Sequence, residues 1–240
     1  MLEILSVEEW IVIEKLRSLF VLNFPNDLHQ QPLTDVVDRT STLISWSYAA
    51  DRNALRLIDF FNEIDHFQRL DEDDRFLLVK YNIFPLYPIL KCFHYNQTNH
   101  CCTDGNNEEV LKYRRFYQLC FGVDSLHHSF RNLIVSIVHV TEQDPIILSL
   151  LLIILMFYDG LSMNEDKPLF KDGKSIHRSQ SFYTTILWKY FIHKWNEEET
   201  WKRFIRLLPV ILTIESSTKR YREYFRDELT QSKAVDKLAP

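Results

Sequence analysis

Phe60-Phe61-Asn62-Glu63-Ile64-Asp65-His66-Phe67-Gln68-Arg69-Leu70, with Asp74-Arg75 and Leu78-Val79-Lys80 close behind, is the stretch that decides the fold. Ala54, Leu57, Ile58, Phe61 and Ile64 recur at steps of three and four, which places them on one face of a helix predicted over about 41–65. Asp71 or Asp73 can open the next helix, because a carboxylate accepts the free N–H groups of a first turn. Pro85 and Pro88 then interrupt a run that should stay helical. Each lacks a backbone donor and crowds the preceding turn, so a kink or break is expected there.

Working outward, Ser6 and Glu9 have the spacing of a capping box, and Trp10, Ile13, Leu16 and Phe20 continue at helical intervals over about 7–22. Asn23 to Asp38, with Pro25 and Pro32, reads as a long connection. His94 to Asn107 is polar and reads as a loop or short β-turn, and helices are expected at about 108–122 and 125–140. Asp144-Pro145 suits the cap and first turn of a helix over about 145–158. Its strongly apolar run from Ile146 to Tyr158 is shorter than the roughly 20 residues of a membrane span, so it reads as a helix buried on most sides. A loop over about 159–174 leads to a helix over about 176–195. Another starts near Glu198, with Trp201, Phe204, Ile205, Leu208, Ile211 and Leu212 on one face, a bend at Pro209 and a frayed tail over about 227–240. The sum is nine to eleven helices in a single domain over 1–240. Only four glycines are present, too few for the turns of a β-rich fold or a phosphate-binding loop.

Composition narrows function mainly by exclusion. The net charge is −5 and the basic residues are scattered, which argues against direct contact with nucleic acid. Cys92, Cys101, Cys102 and Cys120 form no paired zinc-ligand spacing; His94, His100, Cys101 and Cys102 are irregularly placed, so neither metal nor cofactor is expected. Glu3, Glu8, Glu9 and Glu14 are wrong for a signal peptide, and no membrane role is expected. Metalloprotease, serine-hydrolase and phosphate-loop motifs are lacking, so an enzyme is not expected.

The 60–80 stretch resembles the signature of nuclear receptor ligand-binding domains. That pattern runs aromatic, small, basic, four others, Phe, two others, Leu, three others, Asp-Gln, two others, Leu-Leu-Lys. Phe60, Phe67, Leu70, Asp74, Leu78 and Lys80 match it, whereas Phe61, Asn62 and Arg75 stand at its small, basic and Gln positions. Asn164 to Pro168 is similar to the family's Asp-Arg-Pro loop, and Arg203 to Leu208 to the start of its long penultimate helix.

The resemblance implies an all-α fold, a three-layer antiparallel helical sandwich. It implies a nuclear location, with the cytoplasm also open, and a regulatory role in transcription. A small lipophilic ligand is expected in a pocket of Trp46, Ala49, Ala50, Asn53, Ala54, Leu57, Tyr87, His94, Thr218 and Tyr221. His94 stands at the family's pocket Arg, which argues against an acid-binding site. Trp46 and Phe61 are large enough to fill the space, so a collapsed pocket competes with an open one, as does a helical protein-interaction adaptor without a pocket.

A coregulator groove is expected at Asn62, Phe67, Leu78 and Lys80. Asn62 cannot supply the family's clamping charge, and no activation-helix pattern follows Phe225, so coactivator binding is expected to be weak. Either the switch is lost or the chain stops short of it, and loss is favoured. Pro85 and Lys167 stand where one subclass pairs Glu with Arg, so that polar link is not expected. Residues 201–225, with Trp201, Arg203, Arg206 and Arg222, are expected to serve a homo- or heterodimer.

Overall fold

In the computed structural model, the residues described are 4–25, 38–98, 100–101, 107–121, 124–159 and 169–236. They form ten α-helices. The first four are α1 (Val7–Asn23), α2 (Arg39–Asn62), the single turn α3 (Asp65–Gln68) and α4 (Glu72–Asn82). A 3₁₀ turn (Phe84–Leu86) leads into α5 (Tyr87–Phe93), α6 (Asn107–Phe121) and α7 (Asp124–Thr141). The last three are α8 (Pro145–Met156), α9 (Gly173–Trp195) and α10 (Glu197–Asp236). Among the described residues the only β-pairing is an isolated bridge between Asn96 and Cys101.

The local chemistry sets the helix ends. Ser6 Oγ accepts the Glu9 N–H at 3.2 Å while Glu9 accepts the Ser6 N–H at 2.8 Å, completing the capping box of α1. Asp71 caps α4 through the Asp73 N–H at 2.9 Å. Asp144 caps α8 through the N–H groups of Ile146 and Ile147, with Pro145 in the first turn. The break expected at Pro85 and Pro88 is the 3₁₀ turn, and the chain bends by 52° between 72–82 and 84–93. Two lengths differ from expectation. The second helix stops at Asn62 and turns through Glu63 and Ile64 into α3, and α10 runs on to Asp236 with Pro209 inside it. The loop of Asn164 to Pro168, Cys102 and residues 237–240 lie outside the described residues.

The helices stack in three layers. α1 and α2 form one face, α4, α5, α8 and α9 the middle, and α7 and α10 the other face, while α6 bridges α2 and α7 at one end. The middle layer explains the apolar run. Every residue from Ile146 to Met156 is buried, since α8 has helices around it on all sides. No single helix is long and apolar enough to cross a membrane.

The signature residues lock this arrangement. Phe60, Phe67, Leu70 and Leu78 all belong to the main core, and Phe67 packs against Phe61 at 5.8 Å and Phe157 at 6.5 Å. Asp74 is fully buried, and its two oxygens accept the N–H groups of Lys171 and Asp172 at 2.8 and 2.9 Å. A carboxylate on α4 thus fixes the entry to α9 by taking up donors that have no partner within the helix.

Candidate functional site

The main core does not fill the whole molecule. Leu43, Phe116, Tyr117, Cys120, Phe121, Leu126, Tyr221 and Phe225 form a second cluster at the end bridged by α6. Between this cluster and the main core lies a cavity of about 90 Å³. Its walls come from α2, the 3₁₀ turn, α5, α6, α7 and α10. Ten of its nineteen lining residues are aromatic, so ring faces and edges make up most of the wall.

Steps of three and four carry Trp46, Ala49, Ala50 and Asn53 along one face of α2, and the two small alanines leave the room that the rings enclose. Tyr87 reaches across from α5 and donates its hydroxyl to the Ala50 carbonyl at 2.7 Å. Burial pushes the Tyr87 phenol well above its ordinary value, with nearby Asp51 adding to the effect, so it remains a donor at neutral pH. Tyr221 is pushed up to about 12, again chiefly by burial. Trp46 stacks on Phe225 with centroids 3.7 Å apart, and Arg39 pairs with Glu228 at 2.7 Å, which ties the start of α2 to the C-terminal part of α10.

Seven of the expected pocket residues come together here: Trp46, Ala49, Ala50, Asn53, Tyr87, Thr218 and Tyr221. Ala54, Leu57 and His94 are not among the lining residues. Leu57 is fully buried in the main core, and His94 Nε2 lies 3.1 Å from the Phe24 carbonyl. The reason is length. At about 1.5 Å per residue, α2 runs out of the cavity and into the main core before it ends. The wall also holds residues the sequence reading left out, namely Lys91, Ser217 and the ring set Tyr113, Phe116, Tyr117, Phe121 and Phe130. An aromatic stripe on a helix reads as ordinary core, so nothing in the α6–α7 sequence marked those rings as a wall.

The four residues expected at the coregulator groove divide. Phe67 and Leu78 are 2% and 0% exposed, so they hold the core and present no surface. Fixed spacing in a signature finds the residues that bind a bend together, and those point inward. Asn62 and Lys80 are exposed. Gln68 Nε2 donates to the Asn62 backbone and side-chain oxygens at 2.8 and 3.3 Å, and Arg75 donates to Gln68 at 3.3 Å. Lys80 sits over the ring of Phe76, which is 63% exposed.

On α10, Trp201, Ile205, Leu208 and Leu212 form an exposed apolar stripe. Arg206 is exposed beside it, but Arg203 turns inward. Its guanidinium stacks on Trp195 at 3.8 Å, pairs with Glu142 and Glu199, and donates to the Val140 carbonyl. Arg222 is half-buried and donates to the Tyr81 carbonyl at 3.3 Å. These two arginines fasten α10 to its neighbours and leave the apolar stripe with Arg206 as its free face. A wider trough of about 710 Å³ lies between α7 and α10, open to solvent and edged by Ser129, Ser136, Thr213 and Arg206. Among the described residues no group of three or more side chains could hold a metal ion.

A layered helical sandwich with a ring-lined cavity at one end is the frame of a small-molecule-binding regulatory domain. The chain belongs to the family of ligand-binding domains of nuclear hormone receptors, whose family model matches residues 38–226. No curated protein matches the chain.

Proposed function

We propose that this single domain regulates transcription from the nucleus by holding a small apolar molecule in the cavity between α2, α5, α6, α7 and α10. The observation that carries the reading is the cavity itself. Ring-rich walls with a few polar groups are what such a molecule needs, and the space lies where the second cluster meets the main core at Leu133 and Ile214. The family is in general non-enzymatic.

Partner proteins would read the outcome at two surfaces. The exposed side chains of Asn62, Phe76 and Lys80, with half-buried Arg75 beside them, are the coregulator face. Neutral Asn62 weakens its hold on a helical coactivator peptide, because one end of that helix loses its opposing charge. The Trp201, Ile205, Leu208 and Leu212 stripe is the face for a homo- or heterodimer.

The test is a thermal-shift screen of wild type and Ala49→Phe against apolar small molecules. Compounds that raise the melting temperature of the wild type should lose that effect in the variant, whose added ring occupies the cavity. Stabilisation that is the same in both proteins, or no stabilising compound at all, would favour an adaptor working through its surfaces alone. An LxxLL peptide is expected to bind no more tightly than micromolar, and submicromolar binding would remove the assignment of a weakened groove.

A further inference from the structure

We infer that small apolar molecules reach the cavity through the trough between α7 and α10, by the parting of Leu133 from Ser217, and this rests on the cavity being the ligand site. The two spaces have a common wall. Leu133 from α7 and Ser217 from α10 line both the cavity and the trough. Phe130, Ile214 and Thr218 line the cavity and not the trough, while Val140, Pro209 and Val210 line the trough and not the cavity. A molecule in the trough therefore has one leucine and one serine between it and the interior. Leu133 is buried, but it is a single aliphatic chain that can change rotamer, and Ser217 is small and half-buried. Leu133, Val135, Val140, Pro209 and Val210 give the trough the apolar lining that such a molecule needs on its way in.

α10 is weakly bonded at this same level. Pro209 has no N–H, so the Ile205 carbonyl lacks its helical donor. Thr213 donates its hydroxyl to the Pro209 carbonyl at 2.7 Å, Ser216 to that of Thr213 at 3.2 Å, and Thr218 to that of Ile214 at 2.6 Å. Hydroxyls bonded back to the preceding turn favour bending of a helix. Glu215 in the same stretch is buried, and its Oε1 has no hydrogen-bond partner among the described residues. Water admitted by a movement of α10 would relieve that cost.

Another wall of the cavity has no such seam. Tyr113, Tyr117 and Phe130 divide it from the small space beside Cys101, and Tyr117 meets the other two rings with centroids 4.6 and 6.2 Å apart. Three rings in contact would have to move together to open it.

The test is stopped-flow binding of Prodan, a neutral naphthalene whose fluorescence brightens in apolar surroundings. The proteins are wild type, Ser136→Trp, Thr213→Trp, Leu111→Trp and Ala49→Phe. Ser136 and Thr213 are exposed and line the trough but not the cavity, so a ring at either obstructs the approach without touching the bound molecule. Either variant should slow association and dissociation alike by about tenfold with the dissociation constant unchanged, which marks a raised barrier and not an altered bound state. Leu111 is exposed on α6 and lines neither space, so Leu111→Trp should bind as wild type does. Rates unchanged in both trough variants, a shift in the dissociation constant that accounts for the slowing, or equal slowing in Leu111→Trp overturns the route and leaves the cavity assignment intact. No binding to wild type, or binding that Ala49→Phe does not reduce, overturns the cavity assignment itself. Both trough positions are on the surface, and either one alone decides the question if the other fails to fold.

Discussion

The two ends of this molecule are packed on different terms. At the end held by α8, its aliphatic side chains pack tightly with rings such as Phe60, Phe61 and Phe157, and Asp74 and Asp144 take up the donors at helix starts. At the end bridged by α6, aromatic rings meet edge to face or in stacks and leave a cavity. Rings occur at both ends, but around α8 aliphatic chains fill the space between them, whereas at the α6 end the small side chains of Ala49 and Ala50 leave a gap. One end therefore fixes the fold, and the other can accept a guest. α2 belongs to both, with Leu43 and Trp46 in the aromatic cluster and Leu57, Phe60 and Phe61 in the main core.

The sharpest way to break this comparison is at Asp74. Alanine there strands the N–H groups of Lys171 and Asp172. Two charge-assisted hydrogen bonds at about 1.5 kcal/mol each make the expected loss about 3 kcal/mol, the low end because both donors are only part-buried. Denaturant unfolding should show it, and probe binding in the cavity should persist wherever the variant stays folded. A variant as stable as wild type would mean that the entry to α9 is held by something else.

Asp74 also shows what the sequence could and could not tell. Its spacing within the signature was readable, and so were the bend at 60–80 and the buried helix at 145–156. Its task was not, because the donors it satisfies lie ninety-seven residues away for Lys171 and ninety-eight for Asp172. The cavity was half legible. The resemblance implied Trp46, Ala49, Ala50 and Asn53 as pocket residues, but could not say where along α2 the cavity ends, so it also included Ala54 and Leu57. Lys91 was missed because a single lysine in an apolar helix has no pattern around it. Only the fold reveals which way it faces.

A smaller effect compares like with like. Ser149 on α8 is completely buried, and Ala49 on α2 faces the cavity. Leucine at 149 must force the surrounding core apart, at a cost of about 1–3 kcal/mol. Leucine at 49 finds empty space, so the expected change is under about 1 kcal/mol in either direction, with probe affinity falling. Measured side by side in urea, the two variants should separate. If Ala49→Leu destabilises as much as Ser149→Leu, the cavity is not available space and the contrast between the two ends fails.

The smallest effect concerns pH, and it separates the ends by chemistry. His66 on α3 is half-buried at the signature bend, with Nδ1 2.9 Å from the Tyr183 hydroxyl and its ring against Phe182 at 5.0 Å. Burial, helped by Arg69 and opposed by Asp65, holds its pKa below the ordinary value. The unfolded chain therefore takes up this proton first as the pH falls below about 6.5. Stability from this group is complete above that pH and declines towards the lower folded value, where the slope ends. Replacing His66 with Phe should flatten the urea midpoint between about pH 7 and pH 5, leaving only the slope from carboxylates such as Glu9, held low by Lys189. Among the described residues the cavity wall carries no histidine or carboxylate, so the affinity of a neutral apolar compound should stay level across the same range while the stability of the wild type falls. Affinity that tracked stability with pH would mean that the bend and the cavity respond together, and the division between a fixed end and an adaptable end would have to be withdrawn.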